Sequence, residues 1–310
     1  MVACTDNATD RAYLQKEGLD PHVLPAPGRS PLAWLRNALA ARRLLRSFPP
    51  DAVFSKGGSV SVPLCWLAHR RTIPVILHES DAVMGRANRC VARFANAVCL
   101  GFPSPQSPVP SPVLTGNPIR PEITRGKKEQ GLRISGLSGT RPILLVIGGS
   151  QGAQAINQII IEKLDDLLRI VDVIHITGQG KSGASPRSGY YAIPFTFDTL
   201  PHLYACSDIA VSRAGAGTLG ELMANGIPTL VVPLRGLAQD HQMANASIAQ
   251  QQAGCLLMHQ EMLRNELIPA VQSLAESPAK RAEIAAQMRG FAKKDAADQI
   301  TKVIREALHV

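Results

Sequence analysis

The sequence predicts an α/β protein made of two doubly wound domains, each a parallel sheet covered by helices. Three observations lead there. Short apolar runs alternate with helical stretches along all 310 residues, the pattern that parallel strands with crossover helices require. The chain is long enough for two such domains. Two glycine-rich turns, "GGSQGAQAIN" (148–157) and "SRAGAGTLGEL" (212–222), each follow an apolar run and open a helix.

In chain order, "DAVFS", "IPVILHE", "NAVCLGF" and "PVLTGNP" read as strands of a first domain over 1–120. The stretch 121–140 is polar, rich in Gly and Lys/Arg and without an apolar period, so it reads as a linker. "RPILLVIGG", "VDVIHITG", "YYAIPF", "DIAVS" and "PTLVVPL" follow as strands of a second domain over 141–290, and 291–310 reads as a C-terminal helix. After "DIAVS", "GTLGELMANG" reads as a helix ended by Gly226. In doubly wound sheets ligands bind at the carboxyl ends of the strands, here also in the cleft expected between the domains.

Composition narrows the function. Hydrophobic residues make up 45% and charged residues 18%, which suits a well-buried globular chain and argues against disorder. The longest apolar runs are far too short to cross a bilayer. The start, "MVACTDNATDR", lacks the basic and apolar stretches of a secretion signal, so a cytoplasmic location is expected. Six scattered cysteines form no CxxC pair, so reduced thiols are expected and a metal is not. A formal charge of +9 implies anionic company. Between Pro21 and Pro50 there is no acidic residue. Within "PLAWLRNALAARRLLRSF", Leu32, Leu35 and Leu39 share one side of a helix that continues toward Arg42, Arg43 and Arg46. With Trp34 and Arg36 beside it, that face suits an anionic membrane surface, or else packs in the core with a solvated basic end. Aromatic content of 4%, without interleaving among the basic residues, speaks against nucleic acid.

The glycine turns carry the chemistry. Small residues let a backbone approach a ligand closely, and the first N–H groups of a helix favour an anion. The turn at 148–152 is not GxGxxG and carries no Walker lysine. By themselves the two turns are either plain strand-to-helix connections or holders for the two ends of a nucleotide diphosphate.

Taken together, "SKGGSVSVP", "HESDAVMGRANR", "TGNPIR", "GGSQGAQAIN", "SRAGAGTLGEL" and "DHQMANA" occur in an order that resembles the MurG family. These are bacterial N-acetylglucosaminyltransferases that convert lipid I to lipid II in peptidoglycan synthesis. The resemblance covers most of the chain and implies a GT-B fold with UDP-N-acetylglucosamine held mainly by the second domain. It places Gly215, Ala216, Gly217 and Thr218 at the UDP diphosphate, with Ser150 and Gly152 on the same side. It gives Glu221 the ribose hydroxyls, Arg120 a cationic contact to the donor, and the Phe197 backbone the uracil edge. Gln242 is implied at hydroxyls of the transferred sugar, Asn245 supports that loop, and Asp81 and Asn88 belong to a stretch facing the cleft. Asp81 stands where many members carry Asn, and Ser59 where a Tyr is common.

The implied reaction is an inverting transfer of N-acetylglucosamine to the 4-hydroxyl of the muramyl sugar of an undecaprenyl-pyrophosphoryl acceptor. No metal or cofactor is expected, because helix N-termini and Arg120 meet the charge developing on UDP. A lipid acceptor implies a peripheral protein on the cytoplasmic face of the bacterial membrane, which favours the membrane reading of the Trp34–Arg46 face. In the family, a strand, a GGTGGH-type loop and a helix come before the segment that "VACTDNATDRAYLQKEG" resembles, about 25–35 residues at usual element lengths. The favoured catalytic base, a His, lies in that loop. The chain as given is therefore expected to expose apolar surface beside the position of that strand, to keep donor contacts and to lose most transfer. Two alternatives stand: a UDP-N-acetylglucosamine 2-epimerase-like enzyme, and a UDP-sugar-binding protein without catalysis.

Overall fold

In unit 1 the apolar runs become a parallel sheet. The computed structural model describes residues 1–28, 30–104, 109, 111–149, 153–236 and 240–309. Their contacts divide into two units, the first made of 1–80, 84–115 and 298–310, the second of 81–83 and 116–297.

Unit 1 runs β1 (Val2–Cys4), α1 (Ala8–Lys16), β2 (Pro21–Val23), α2 (Pro31–Ser47), β3 (Val53–Ser55), α3 (Ser61–His69), β4 (Val75–Glu79), α4 (Arg86–Ala92), β5 (Ala97–Leu100) and β6 (Val113–Leu114). The order β3-β4-β5-β6 is parallel throughout, with Leu77 opposite both Ser55 and Val98. Val75, Leu77, Val91, Val98 and Leu100 form its core with Leu45 of α2 and Cys65 and Ala68 of α3. β1 and β2 pair with each other in a separate parallel ladder. Between β1 and β3 lies a cavity of about 320 Å³, lined by Met1 and Ala3 on one side and by Val53, Phe54 and Ser55 on the other.

Helix α2 starts where the sequence provides a stop and a cap. The Ser30 hydroxyl accepts from Ala33 N–H at 3.1 Å and Pro31 occupies the first turn, where a missing N–H costs nothing. It buries Asn37, Ala41, Leu44 and Leu45. The leucine stripe lies on the other side: Leu32, Leu35 and Leu39 are 65%, 55% and 45% exposed. The core-packed reading of that stripe is thereby corrected. Trp34, Arg36, Arg42, Arg43 and Arg46 are exposed beside it.

Unit 2 opens with a 3-10 turn (Pro121–Thr124) and α5 (Lys128–Ser135), then β7 (Ile143–Ile147), α6 (Gln154–Glu162), α7 (Leu164–Ile170), β8 (Asp172–Ile176), β9 (Tyr190–Ile193), α8 (Leu200–Ala205), β10 (Ile209–Ser212), α9 (Ala216–Asn225), β11 (Thr229–Val231), α10 (His241–Ala253), β12 (Leu256–Leu257), α11 (Leu263–Ala275) and α12 (Pro278–Phe291). Its sheet is parallel in the order β12-β11-β10-β7-β8-β9. β7, β8, β10 and β11 are buried along their whole lengths, as strands covered on both faces must be. The last helix, α13 (Ala296–Leu308), counts with unit 1 from Asp298 on and packs Ile300 and Val303 against Ile76 and Cys99.

The linker expected over 121–140 is instead part of unit 2. Its glycines are packing residues: a Cβ on Gly126 would fall 1.8 Å from the Pro201 carbonyl oxygen, and one on Gly131 2.2 Å from that of His202. α5 and α8 approach backbone to backbone there. The expected 291–310 helix is also revised, because α12 ends at Phe291 and α13 begins at Ala296. Cys65, Cys99 and Cys206 are buried, and burial pushes their thiols up to about 11. For Cys255 burial pushes the thiol up to about 12.

Candidate functional site

Unit 2 runs outward from β7 to β8 and β9, then returns to place β10 on the other side of β7. At such a reversal the helices leave on opposite faces and a crevice opens at the carboxyl ends of the two strands. A pocket of about 160 Å³ lies there. Ile147 and Gly149 come from the end of β7, Ile176 from the end of β8, and Thr218 and Glu221 from α9. Arg120, Phe195 and Phe197 complete the polar and aromatic walls.

The turn after β10 delivers α9 to this pocket with its N-terminus open. Gly215 caps it without a side-chain hydrogen bond, and the first turn carries no acidic residue. Among the described residues, a Cβ at Gly215 or Gly217 would meet nothing within 4 Å. The N–H groups of the first turn and the positive end of the helix dipole are thus unblocked by the described side chains. The far end closes at Gly226, whose φ of +65° needs glycine.

One helical turn inside α9, Glu221 is held from two sides. Tyr204 Oη donates to its Oε2 at 2.9 Å, and Arg120 Nη2 stands 4.0 Å from its Oε1. Burial pushes the Glu221 carboxyl up from its ordinary value, opposed by the Tyr204 hydrogen bond and then by the Arg120 charge. Tyr204, 1% exposed, is pushed well up by burial and by the neighbouring carboxylate. Arg120 also lies over the Phe197 ring, 5.5 Å from its centre, with Nη1 3.5 Å from the Phe197 carbonyl oxygen. Phe195 packs edge-on against Phe197 at 4.5 Å. The pocket therefore joins an aromatic wall, a cation, a carboxylate and a helix N-terminus.

Four of the residues expected from the sequence, Arg120, Phe197, Thr218 and Glu221, line this one pocket, and Gly215, Ala216 and Gly217 form the adjoining turn. Ser150 and Gly152 lie outside the described residues. Gln242 uses its Oε1 to accept from Leu234 N–H at 3.0 Å, leaving its amide N–H2 group to donate. Asn245, fully buried, accepts from Ala82 N–H at 2.8 Å and donates to Asp81 Oδ1 at 2.8 Å and to the Ala214 carbonyl at 3.0 Å. It fastens the 81–83 segment and the glycine turn to α10. Asn88 is engaged inside unit 1, donating to Glu79 Oε2 at 2.7 Å beside Gly57, where any Cβ would strike its amide. Tyr204 was not among the expected residues: in "PHLYAC" it reads as one more core aromatic, and nothing local marks its partner 17 positions on.

The comparisons agree with this architecture. The glycosyltransferase family 28 C-terminal domain matches residues 143–300 and the N-terminal domain of the same family residues 14–100. A UDP-N-acetylglucosamine–N-acetylmuramyl-(pentapeptide) pyrophosphoryl-undecaprenol N-acetylglucosamine transferase of Lachnoclostridium phytofermentans is 37% identical over 282 residues, 89% of this chain and 79% of that protein. One of the same name from Clostridium novyi is 35% identical over 85% of this chain and 78% of its own length. Among solved structures, Acinetobacter baumannii MurG is similar with a TM-score of 0.75 at 22% identity, covering 98% of this chain and 90% of that one. A Neisseria meningitidis UDP-GlcNAc 2-epimerase reaches 0.68 at 14% identity, with the same coverage. Such identities show the fold alone, here the GT-B class of two Rossmann-like units. With both domain models matched in order and relatives above one-third identity over most of its length, the chain belongs to glycosyltransferase family 28, among the UDP-N-acetylglucosamine–N-acetylmuramyl-(pentapeptide) pyrophosphoryl-undecaprenol N-acetylglucosamine transferases.

Proposed function

We propose that this protein transfers N-acetylglucosamine from UDP-N-acetylglucosamine to the 4-hydroxyl of the muramyl sugar of undecaprenyl-pyrophosphoryl-N-acetylmuramyl-pentapeptide, with inversion. The observation that carries the reading is the unit 2 pocket, where Glu221, Arg120 and the open α9 N-terminus meet at the switch point of the sheet. Uracil sits against the Phe195–Phe197 wall, and Glu221 accepts from the ribose hydroxyls. The diphosphate faces the first-turn N–H groups at Ala216 to Thr218, with Gly149 lining the same pocket. Gln242 donates to hydroxyls of the sugar, with Asp81 held nearby by Asn245.

In the transfer the acceptor oxygen forms a bond to the anomeric carbon while that carbon's bond to the β-phosphate oxygen breaks. The bonding pair leaves with UDP, and the hydroxyl proton passes to a general base. The protein's part is to meet charge where it develops. Arg120 and the helix N-terminus face the leaving diphosphate without having to reorganise at the moment of reaction.

The lipid acceptor is met by α2. Its exposed Leu32, Trp34, Leu35 and Leu39 enter the headgroup boundary while Arg36, Arg42, Arg43 and Arg46 meet anionic lipid, making the protein peripheral on the cytoplasmic face of the membrane. No helix among the described residues is long and apolar enough to cross.

The test is transfer of label from UDP-N-acetylglucosamine to a lipid I analogue, run on the 310-residue chain and on any longer product of its reading frame. Label in the glycolipid from either form supports the reading. Donor binding by both with transfer by neither overturns it in favour of a UDP-sugar-binding protein, and free epimerised sugar without glycolipid favours the epimerase-like alternative.

A further inference from the structure

The donor pocket is lined by Glu221 but not by the residue that fixes it. Tyr204 belongs to α8, is 1% exposed, and donates its hydroxyl to Glu221 Oε2 at 2.9 Å. Its ring is locked by packing, so the hydroxyl cannot follow a moving carboxylate. Oε1 is left on the side of Arg120, at 4.0 Å, where the pocket opens. A glutamate one turn inside a helix has several rotamers, and an unheld one can turn to pair more closely with Arg120. We propose that Tyr204 is the positioning residue that holds Glu221 in the rotamer presenting Oε1 to the donor ribose, keeping it from collapsing onto Arg120. This deepens the donor reading above and rests on it.

Among the described residues the charged surroundings are few. Of the titratable groups on the elements around α9, Arg120 and Tyr204 face the Glu221 carboxyl. Arg289 of α12 reaches the other end of α9 at the Asn225 carbonyl, His241 of α10 faces Asp81, and Arg213 after β10 donates to Gln260. Removing the phenol therefore removes one of two groups that favour the ionised carboxylate, and burial, which opposes it, stays.

The experiment compares binding of UDP and 2′,3′-dideoxy-UDP by calorimetry between pH 5 and 8, in wild type and Tyr204→Phe. The wild type is expected to prefer UDP, with the preference fading as pH falls through the Glu221 titration. In Tyr204→Phe the preference drops about tenfold, the scale of a hydrogen bond to a charged group, and its midpoint moves to higher pH. A folded Tyr204→Phe with unchanged preference and midpoint overturns the role. Should that variant fail to fold, Tyr204 replaced by 3,5-difluorotyrosine keeps the hydroxyl and makes it a stronger donor. The midpoint then moves to lower pH, and an unmoved midpoint overturns the role equally. A wild-type preference of one at every pH removes the ribose contact of Glu221 itself. That outcome refutes the donor reading, and this role with it, without recourse to any variant.

Discussion

A methyl group added at Gly131 tests whether the 121–140 stretch is tertiary structure. In an exposed helix interior Gly→Ala stabilises by about 1 kcal/mol, and in a linker the change is close to neutral. In this fold the new Cβ of Gly131→Ala would lie 2.2 Å from the His202 carbonyl oxygen and 2.7 Å from Cys206 Sγ, against an ordinary contact near 3.4 Å. The obstruction is backbone, so α5 and α8 must part by about 1 Å, an overpacking cost at the upper end of about 1–3 kcal/mol. Set against the helix gain, the net loss is about 1–2 kcal/mol, a factor of about 5–30 in the opening equilibrium. Gly220→Ala is the matched control, because its Cβ would meet Ile119 and Asn117 at 3.5 and 3.8 Å, ordinary distances, inside α9. Native-state hydrogen exchange read by mass spectrometry resolves both, with β4 and β5 of unit 1 as internal reference. Amides of α5 and α8 are expected to exchange faster in Gly131→Ala, and those of α9 slower in Gly220→Ala. Because α8 carries Leu200 and Tyr204, UDP binding weakens in the first variant only. If Gly131→Ala protects α5 as Gly220→Ala protects α9, the close approach of α5 and α8 is wrong.

His175 is fully buried between Tyr190 Oη on Nδ1 at 2.9 Å and Asn157 Oδ1 on Nε2 at 3.1 Å, and burial lowers its pKa from 6.5 to about 4. The unfolded chain takes up that proton first, so stability falls as pH drops from about 6.5 toward 4, by about 3 kcal/mol at most, then levels off; urea unfolding across that range should show the slope in wild type and lack it in His175→Gln. Asn245→Ala strips partners from Ala82 N–H and the Ala214 carbonyl, which costs about 1–3 kcal/mol; exchange at 81–83 is expected to rise together with the donor KM, and unchanged exchange would contradict the clasp. Arg42→Gln with Arg43→Gln removes two exposed charges worth about 1 kcal/mol each at an anionic surface, an approximately 30-fold loss of binding to phosphatidylglycerol vesicles. Equal sedimentation of the two proteins with such vesicles would count against α2 as the membrane face.

Local pattern decided much of this protein. The buried strands β7, β8 and β10 are legible because a strand covered on both faces must be continuously apolar. The glycine turn at 212–218 is legible because small residues before a helix leave its N-terminus open, and Gly226 because only glycine ends a helix in that conformation at little cost. Family membership rests on motif order, which is also linear. What stayed hidden depends on pairs distant in sequence. β1, β2 and β12 span two or three residues each, too short for any period to register. The glycines of 121–140 look like a linker until α8 lies against them, since closeness of two backbones leaves no local mark. The α2 leucines have the same spacing whether buried or exposed, and only the packing of Ala41, Leu44 and Leu45 decided which face turned inward. Tyr204 acquires its role because the fold brings α8 beside α9 and sets a phenol against Glu221. Composition and periodicity determine which elements form, because each is a property of neighbours along the chain. The site required the tertiary structure, because hydrogen bonds, charges and burial act across space, between residues the sequence keeps apart.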